Sequence, residues 1–263
     1  MTKLLTFGCS LTRYHWPTWA DILGFHFDNF QNWANRGAGN KQIFERFSEA
    51  VLKNQLNSND VIIIQWTDYH RFDRKYDDAS MHESWYQGGN LLLDTDIDPT
   101  KIFIARKLWD EQSYILHTWN YIHAATAIAK NLKCKVFMTS SIDLHQDLTG
   151  DLSIYQNVVE DGNWIDTNLY TWCIDNHKDK LTTFAGAGDW TNKSKIIQDQ
   201  HPTPIMHYYW LEKSIAPLLE LNLDKQFADV MQTVVEDTTD FYSIGQAIEN
   251  AGYNTNQFYQ RGY

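Results

Sequence analysis

Residues 61–64 read Val-Ile-Ile-Ile, an unbroken apolar run that begins after Asp60 and ends before the polar Gln65. A run this short, apolar at every position rather than at alternate ones, is typical of a β-strand that is covered on both faces. Sheets of such strands are usually parallel, and parallel strands need crossover connections, most often helices. This run therefore constrains the fold more than any other segment, and it predicts an α/β architecture.

The residues before this strand supply the other parts of a parallel α/β unit. Residues 3–8 form a short apolar run ending in small residues, which predicts a first buried strand, and residues 27–34 alternate loosely as a second strand would. The tight turn signal of residues 35–40 leads into apolar positions at helical spacing between residues 43 and 51. Strand, turn, helix and strand in this order are typical of a parallel α/β fold.

The rest of the chain continues this pattern and interrupts it twice. A helical periodicity runs from about residue 104 to 132, a short strand is predicted at residues 136–138, and a last core helix begins near Thr203. The polar, aromatic-rich segments 69–100 and 142–198 are predicted insertions that build the walls of a substrate site, since loops this long are usually functional or mobile.

Two units follow from this organisation. Residues 1–220 are predicted to form one α/β domain that contains both insertions, and a chain of 263 residues with 43% hydrophobic content can bury its core. Residues 221–263 hold two amphipathic segments, so we expect a helical C-terminal extension that packs on the core or forms a homo-oligomer contact.

Charge and hydropathy disfavour several classes of partner. Lys and Arg number 22 against 33 Asp and Glu, which gives a formal net charge of −11 and disfavours binding to nucleic acid. No apolar stretch approaches the roughly 20 residues of a membrane span, and the apolar start is too short for a signal peptide, so a non-secreted, for example cytoplasmic, protein without membrane binding is expected. The three cysteines, Cys9, Cys134 and Cys173, have no paired spacing and fit unpaired thiols in a reducing compartment.

The first candidate motif is Gly8-Cys9-Ser10-Leu11-Thr12, directly after the first predicted strand. A serine there lies at the carboxyl edge of the sheet, where open α/β folds place their sites. The small residues around it let a substrate approach the hydroxyl. Alone, the motif is better explained by a serine that caps a turn.

The second motif is Asp199-Gln200-His201-Pro202-Thr203, just before the last core helix. A serine hydroxyl is a poor nucleophile until a base takes its proton, and a histidine does this near neutral pH when a carboxylate orients its ring. Asp199 is close enough in sequence to orient His201. Alone, the motif is also compatible with a surface loop that carries an incidental histidine.

Together the two motifs resemble the SGNH, or GDSL-like, family of serine hydrolases, in which the nucleophile comes early and the acid and base come late. Ser10 matches the serine of the family's Gly-Asp-Ser-Leu block, with Cys9 in place of the aspartate. The resemblance covers residues 3–216 and implies Ser10, His201 and Asp199 as catalytic residues. The family motif is usually Asp-x-x-His, whereas this chain has Asp-x-His, which is one residue shorter. A backbone carbonyl is therefore the alternative group that orients the imidazole.

The fold and the oxyanion hole are also implied by this resemblance. The family fold is a three-layer α/β/α sandwich with a mainly parallel central sheet, of flavodoxin-like type. Residues 35–40 resemble the family's second block, which implies that the N–H of Gly39 or of Asn40 joins the N–H of Ser10 in the oxyanion hole.

The third block of the family, Gly-x-Asn-Asp after the third strand, is altered in this chain. Its asparagine is an oxyanion donor, whereas residues 65–71 contain no asparagine. Gln65, Thr67 and Arg71 are the candidates to replace it as oxyanion or substrate contacts. The oxyanion hole is therefore the part of the resemblance that departs most from the pattern.

Other candidate residues have competing structural explanations. Cys9 is an alternative nucleophile, although the family position favours Ser10. His207 suggests a metal site with His201, but with no third ligand we expect a helix-packing histidine and no metal. His145 is expected to stabilise a loop rather than to contact substrate. Four tryptophans are candidates to stack on a sugar ring: Trp66, Trp85, Trp164 and Trp190.

These residues predict a serine esterase that hydrolyses a small ester, with O-acetyl groups on a glycan as the first hypothesis because aromatic rings stack on sugars. The implied acyl-enzyme mechanism needs no metal or organic cofactor. Two alternatives stay open. One is an O-acyltransferase that uses the same residues, and the other is a non-catalytic glycan-binding or structural protein on a degenerate hydrolase scaffold.

Overall fold

Four parallel strands form the central sheet of the protein. The computed structural model describes residues 2–75, 85–90, 99–161, 163–177, 183–185, 196–198, 201–238 and 243–253. In chain order the elements are β1 (Lys3–Phe7), α1 (Trp19–Gly24), β2 (Asn29–Asn32), α2 (Asn40–Lys53), β3 (Val61–Trp66), β4 (Arg71–Lys75), β5 (Trp85–Asn90), α3 (Pro99–Lys107), α4 (Glu111–Ala129), β6 (Lys135–Ser140), α5 (Gln156–Asp161), α6 (Leu169–His177), β7 (Thr183–Ala185), β8 (Ile196–Gln198), α7 (Pro204–Ser214), α8 (Lys225–Asp237) and α9 (Ile244–Asn250). Short 3₁₀ helices span His145–Asp147, Gly150–Tyr155 and Ala216–Leu219.

The strand order of the sheet is β2-β1-β3-β6, and every neighbouring pair is parallel. Leu4 of β1 pairs with Phe30 of β2 on one side and with Val61 of β3 on the other. Val61 in turn pairs with Lys135 at the start of β6. Because the strands run in one direction, the loops that follow β1, β3 and β6 gather at the same carboxyl edge.

Helices cover both faces of this sheet. α2 packs against α4, whereas α1 and α6 pack against α7. Every residue of β3 is buried, as its continuous apolar run predicts for a strand between two helical layers. The predicted three-layer α/β/α sandwich with a mainly parallel sheet is therefore confirmed.

Aromatic side chains pack between the sheet and a helix on one face and between two helices on the other. Phe7 at the end of β1 meets Phe47 of α2 edge to face, with ring centroids 5.7 Å apart. In the other layer, Trp19 of α1 meets Trp210 of α7 at the same separation of 5.7 Å. All four rings are buried, and full burial of a side chain such as phenylalanine stabilises a fold by roughly 1.5–3 kcal/mol.

The structure differs from the sequence prediction inside the two insertions. Residues 71–75 and 85–90 pair as the antiparallel strands β4 and β5, a hairpin that the polar composition did not indicate. The long helical pattern divides into α3 and α4 at Asp110, whose carboxylate accepts a 2.8 Å hydrogen bond from the Ser113 N–H and caps α4. The second insertion contains α5, α6 and the short antiparallel pair β7 and β8.

The segment after residue 220 packs on the core through α8, which contacts α7, and α9 contacts α8 in turn. The inward face of this pair is apolar and consists of the buried residues Phe227, Met231, Val235, Ile244 and Ile248. In the part of the chain that the structure describes, no helix has the length and hydropathy that a bilayer-crossing segment requires.

Asp60 ties together the amino ends of three strands, at the edge of the sheet opposite to the one that gathers the loops. Its carboxylate accepts hydrogen bonds from the Lys3 N–H at 2.9 Å and from the Asn57 N–H at 2.8 Å. Its carbonyl accepts the N–H of Lys135 at 3.0 Å. The Asp60 carboxylate is fully buried, so its own oxygens depend on these donors rather than on water.

We therefore expect Asp60→Ala to lower the free energy of unfolding by about 2 kcal/mol, because it removes hydrogen bonds to a charged group that joins the strand ends. Asp60→Asn keeps one acceptor oxygen and is expected to lose less. Urea unfolding of the three proteins measures both effects. An alanine variant as stable as the parent protein would show that the strand ends do not depend on this carboxylate.

Candidate active site

Ser10 and His201, which are 191 positions apart in sequence, lie side by side. Ser10 Oγ is 2.8 Å from His201 Nε2, within hydrogen-bond distance. Ser10 follows β1 at the carboxyl edge of the sheet, and His201 comes just before Thr203, the N-cap of α7. A hydroxyl and an imidazole in this contact can exchange a proton, which is the first requirement for a serine nucleophile.

Two aromatic residues that the sequence analysis did not identify hold the imidazole of His201 and its loop. Tyr14 stacks on His201 with ring centroids 3.8 Å apart and an interplanar angle of 16°. The indole N–H of Trp16 donates a 2.8 Å hydrogen bond to the carbonyl of Pro202, the next residue along the histidine loop. The predicted orienting carboxylate, Asp199, lies outside the described residues, so its role stays a prediction.

Tyr14 and Trp16 also contact each other edge to face, with ring centroids 4.5 Å apart. Both belong to the loop that carries Ser10, so one segment of chain positions both the hydroxyl and the imidazole. The sequence analysis missed these two aromatic residues. The only signal that pointed to them was their closeness to Ser10 along the chain.

The loop between β1 and α1 rests on a buried polar network centred on Thr12. The Thr12 carbonyl accepts hydrogen bonds from the Thr18 hydroxyl at 2.7 Å and the Asn32 side-chain amide at 3.0 Å. The Thr12 hydroxyl donates to Gln65 Oε1 at 2.8 Å, and its N–H donates to the Cys9 carbonyl at 3.0 Å. These hydrogen bonds fix the turn that contains Ser10 from its core side.

Two further residues allow and complete this network. A Cβ at Gly8 would lie 2.0 Å from the Thr12 hydroxyl oxygen, so only glycine lets the loop come this close to β1. Asp21 accepts the Thr18 N–H at 2.8 Å. Burial raises the pKa of Asp21 to about 7, which outweighs the lowering effect of its hydrogen bonds to Thr18.

The N–H of Gly39, which the family resemblance implies in the oxyanion hole, already has a partner. It donates to Asp73 Oδ1 at 2.8 Å, and the Gln42 N–H donates to Asp73 Oδ2 at 3.1 Å, so this carboxylate caps the amino end of α2. Burial raises the pKa of Asp73 to about 6, against the lowering effect of these two bonds. In this conformation the Gly39 N–H is engaged by the protein itself, through a residue that sequence reasoning missed and that no sequence signal pairs with Gly39.

The Asn40 side chain fixes the end of β3. Its Nδ2 donates to the Thr67 carbonyl at 2.8 Å and to Thr118 Oγ1 at 3.1 Å, while its Oδ1 accepts the Thr67 N–H at 2.8 Å. Thr67 is buried, and its hydroxyl has no hydrogen-bond partner among the described residues. Thr67 follows β3 at the carboxyl edge of the sheet, the same edge at which Ser10 follows β1.

Gln65 and Arg71, the other two candidates from the altered third block, are placed differently. Gln65 is fully buried, and its Oε1 accepts hydrogen bonds from Thr12 at 2.8 Å and from the Trp19 indole N–H at 3.4 Å. It therefore supports the loop from within the core, which corrects the expectation that it contacts substrate. Arg71 Nη1 donates to the Ala38 carbonyl at 3.3 Å and lies beside the loop that leads into α2.

Cys9 and His207, the competing candidates for nucleophile and metal ligand, are both buried in the core. The Cys9 thiol is free, but it is Ser10 that meets the imidazole of His201. Burial lowers the pKa of His207 to about 3, and the nearby His201 acts in the same direction, so His207 is a neutral packing residue of α7. Over the described ranges, no group of three or more metal-type side chains comes together.

Two of the four tryptophans proposed for sugar stacking have described side chains, and both pack against the protein. Trp66 is fully buried. Trp164 packs at 4.9 Å against the ring of His145, the residue expected to stabilise a loop. Trp190 and the side chain of Trp85 lie outside the described residues.

We expect Tyr14→Leu to slow the labelling of Ser10 by a fluorophosphonate by roughly 10–100-fold, because loss of the stacked ring lets the His201 imidazole leave its reactive orientation. Tyr14→Phe keeps the ring and is expected to react within about threefold of the parent rate. Labelling rates are compared at matched folded fractions, checked by thermal unfolding. Equal rates for the leucine and phenylalanine variants would contradict an orienting role for the ring.

Comparisons with known proteins add a likeness in fold. No protein-family model matches the chain, and no curated protein matches it. Among solved structures, the chain is similar to a member of the lipolytic G-D-S-L family from Veillonella parvula DSM 2008, with 14% identity over 81% of this chain and 98% of the other, and a TM-score of 0.43. It is also similar to a GDSL-like lipase from Bacteroides thetaiotaomicron VPI-5482, with 14% identity over 83% of this chain and 87% of the other, and a TM-score of 0.43. At identities and TM-scores this low, the likeness says nothing about activity, which has to be argued from the residues of this chain.

Proposed function

We propose that this protein is a serine esterase with Ser10 as nucleophile and His201 as general base. The observation that carries the proposal is the 2.8 Å contact between Ser10 Oγ and His201 Nε2. The contact joins two segments at the carboxyl edge of a parallel sheet, where α/β folds carry their sites. The buried hydrogen bond between Thr12 and Gln65 holds the serine loop, and the Tyr14 ring stacks on His201. Both favour a preorganised active site over a chance contact.

The proposed chemistry is acyl transfer in two steps. His201 Nε2 takes the Ser10 proton as Oγ attacks the ester carbonyl, and the imidazolium then protonates the departing alcohol to leave an acyl-serine. In the second step His201 takes a proton from water, the oxygen attacks the acyl carbon, and Ser10 Oγ leaves with the proton returned by the imidazolium. These steps need no metal or organic cofactor, and Asp199 is proposed to hold the other ring nitrogen.

The oxyanion is assigned to the N–H of Ser10 and to the hydroxyl of Thr67. The Thr67 hydroxyl is buried without a partner in the described chain, and Asn40 fixes the backbone that carries it. A preorganised donor of this kind stabilises charge that develops in the transition state. The N–H of Gly39 joins these donors only when Asp73 releases it.

The proposed substrate is a small ester, with an O-acetylated sugar as the first candidate. An O-acyltransferase would form the same acyl-serine and replace water by the hydroxyl of a second substrate. The contact between Ser10 and His201 counts against a non-catalytic glycan-binding or structural protein, because binding alone needs no base beside a serine.

The proposed setting follows from the thiols and the charge. All three cysteines are buried and free, which supports a reducing, non-secreted compartment such as the cytoplasm. The net charge of −11 supports small-molecule or glycan esters rather than nucleic acid as substrates. A homo-oligomer contact stays a hypothesis. The apolar face of the C-terminal helices already packs against the core, so it offers no free surface for such a contact.

Covalent labelling with a fluorophosphonate tests the nucleophile. We expect the parent protein to gain one adduct and Ser10→Ala to gain none, with mass spectrometry of the intact protein as the measurement. Cys9→Ala is the matched control, since it removes the alternative nucleophile one position away and should still label. An unlabelled parent protein, or an adduct on Ser10→Ala, would remove the basis of the proposed esterase.

Substitution of Thr67 tests the oxyanion assignment. Thr67→Val keeps the shape of the side chain and breaks no hydrogen bond to a described residue, yet we expect kcat for p-nitrophenyl acetate to fall roughly 10²–10³-fold, because one oxyanion donor is lost. Thr67→Ser restores a hydroxyl and should recover most of the rate. If the valine variant turns over at the parent rate, the oxyanion is held by other donors.

A further inference from the structure

The loops that follow β1 and β2 carry positive charge in a chain with an excess of acidic residues. Residues 8–18 and 33–39 contain Arg13, His15 and Arg36 and no Asp or Glu. The whole chain has 33 acidic against 22 basic residues, so these two loops depart from its average composition. Charge of one sign beside a reaction centre attracts ligands of the opposite sign.

The backbone and the side chain of Arg36 both lie close to the serine loop. The N–H of Asn35 donates a 3.1 Å hydrogen bond to the carbonyl of Gly8, which is two residues before Ser10. Nη1 of Arg36 lies 3.2 Å from Nδ1 of the His15 imidazole and also contacts its Nε2. The second loop is therefore attached to the first at both ends of this arginine.

Ring contacts continue from His15 to the proposed general base. The His15 ring meets Tyr14 edge to face with centroids 5.2 Å apart, and Tyr14 stacks on His201 with centroids 3.8 Å apart. The guanidinium of Arg36 is thus linked to the imidazole of His201 through two aromatic contacts. It lies on the histidine side of the nucleophile.

The positive charge of Arg36 is not offset by a carboxylate of any described residue. The side chain is exposed, and no described Asp or Glu forms an ion pair with it. An imidazole carries no negative charge in any protonation state of a folded protein, so the contact with His15 leaves the guanidinium uncompensated.

Two buried carboxyl groups contact these loops, and both face other cations. Arg13 acts through its charge on Asp21, which accepts hydrogen bonds from the loop after β1. Arg71 and Lys41 act in the same way on Asp73, which accepts the last N–H of the loop after β2. The uncompensated charge between the two loops is therefore that of the exposed guanidinium.

The side of the serine on which this guanidinium lies decides which part of an ester it reaches. In the proposed mechanism His201 protonates the departing alcohol, so the alcohol part of the substrate has to lie next to the imidazole. Substituents of the alcohol then extend along the rings of Tyr14 and His15 towards Arg36. The acyl part lies on the other side of the reacting carbonyl.

We propose that Arg36 is a specificity-determining residue that selects esters whose alcohol part carries a carboxylate, that is, O-acylated hydroxy acids. The inference rests on the proposed esterase function and names its substrate class. A guanidinium presents two parallel N–H donors that match the two oxygens of a carboxylate. One uncompensated unit charge also matches the single charge of a carboxylate better than a phosphate dianion.

A pair of nearly isosteric acetate esters tests this selection by a ratio. The kcat/KM for 3-acetoxybenzoate, whose alcohol part carries a carboxylate, is divided by the kcat/KM for 3-acetoxybenzamide, whose carboxamide is neutral. We expect Arg36→Gln to lower this ratio roughly 3–10-fold, because a solvent-exposed charge-assisted pair is lost. Arg36→Lys keeps the charge without the paired donors and should give an intermediate ratio.

Lys53→Gln is the matched control, because it removes one positive charge from the far end of α2, roughly 20 Å from the start of that helix. It should leave the ratio unchanged. Sodium chloride should lower the ratio of the parent protein and have little effect on that of Arg36→Gln, since salt screens an exposed charge pair. A ratio in Arg36→Gln equal to the parent value, or an equal loss in Lys53→Gln, overturns the selection.

Direct binding keeps the test independent of catalysis. Saturation-transfer NMR with 3-hydroxybenzoate, the alcohol product, should show transfer from the parent protein and from Ser10→Ala, and a marked loss of transfer in Arg36→Gln. Absence of transfer from the parent protein, or transfer that Arg36→Gln retains in full, also overturns the proposal. If neither ester is hydrolysed, the proposed esterase fails, while the binding result still decides whether Arg36 holds a carboxylate.

Discussion

The contact between Ser10 and His201 depends on a loop of seven residues that does two jobs at once. At one end the loop presents the serine hydroxyl after β1, and at the other it supplies Tyr14 and Trp16, which hold the histidine loop. A proton transfer needs heavy atoms within about 3 Å, and two independent loops would each add their own motion to that distance. Because one segment contacts both Ser10 and His201, the distance between their reacting atoms depends on how firmly the core holds that segment.

The contacts that hold this loop are polar and buried. Burying a polar group costs free energy unless the group finds a hydrogen-bond partner. The Thr12 carbonyl accepts hydrogen bonds from Thr18 and Asn32, and its hydroxyl donates to Gln65. Gly8 allows the close approach of Thr12 to β1. The raised pKa of Asp21 shows that burial outweighs the hydrogen bonds it accepts. Ionisation of this carboxyl group as the pH rises towards about 7 therefore lowers the stability of the fold.

The sequence predicts the sheet better than it predicts the site, and the reason is the range of the interactions. Residues 61–64 reveal a doubly covered strand because burial on both faces leaves its mark on consecutive residues. The β4–β5 hairpin leaves no such mark, since its residues are mostly polar and show no apolar alternation. The bond between Gly39 and Asp73 spans 34 positions, and neither residue is unusual in its local sequence. The serine and histidine were found because a family pattern records their long-range pairing, and local periodicity does not.

The altered third block is better explained by what Asn40 does than by what is missing after β3. An amide donor at the strand end would point its N–H groups at the oxyanion directly. Here the amide comes from the start of α2 and bonds the carbonyl and N–H of Thr67, which fixes the backbone of the strand end from outside. A short, β-branched side chain on a fixed backbone has few rotamers, so its hydroxyl is preorganised without further bonds.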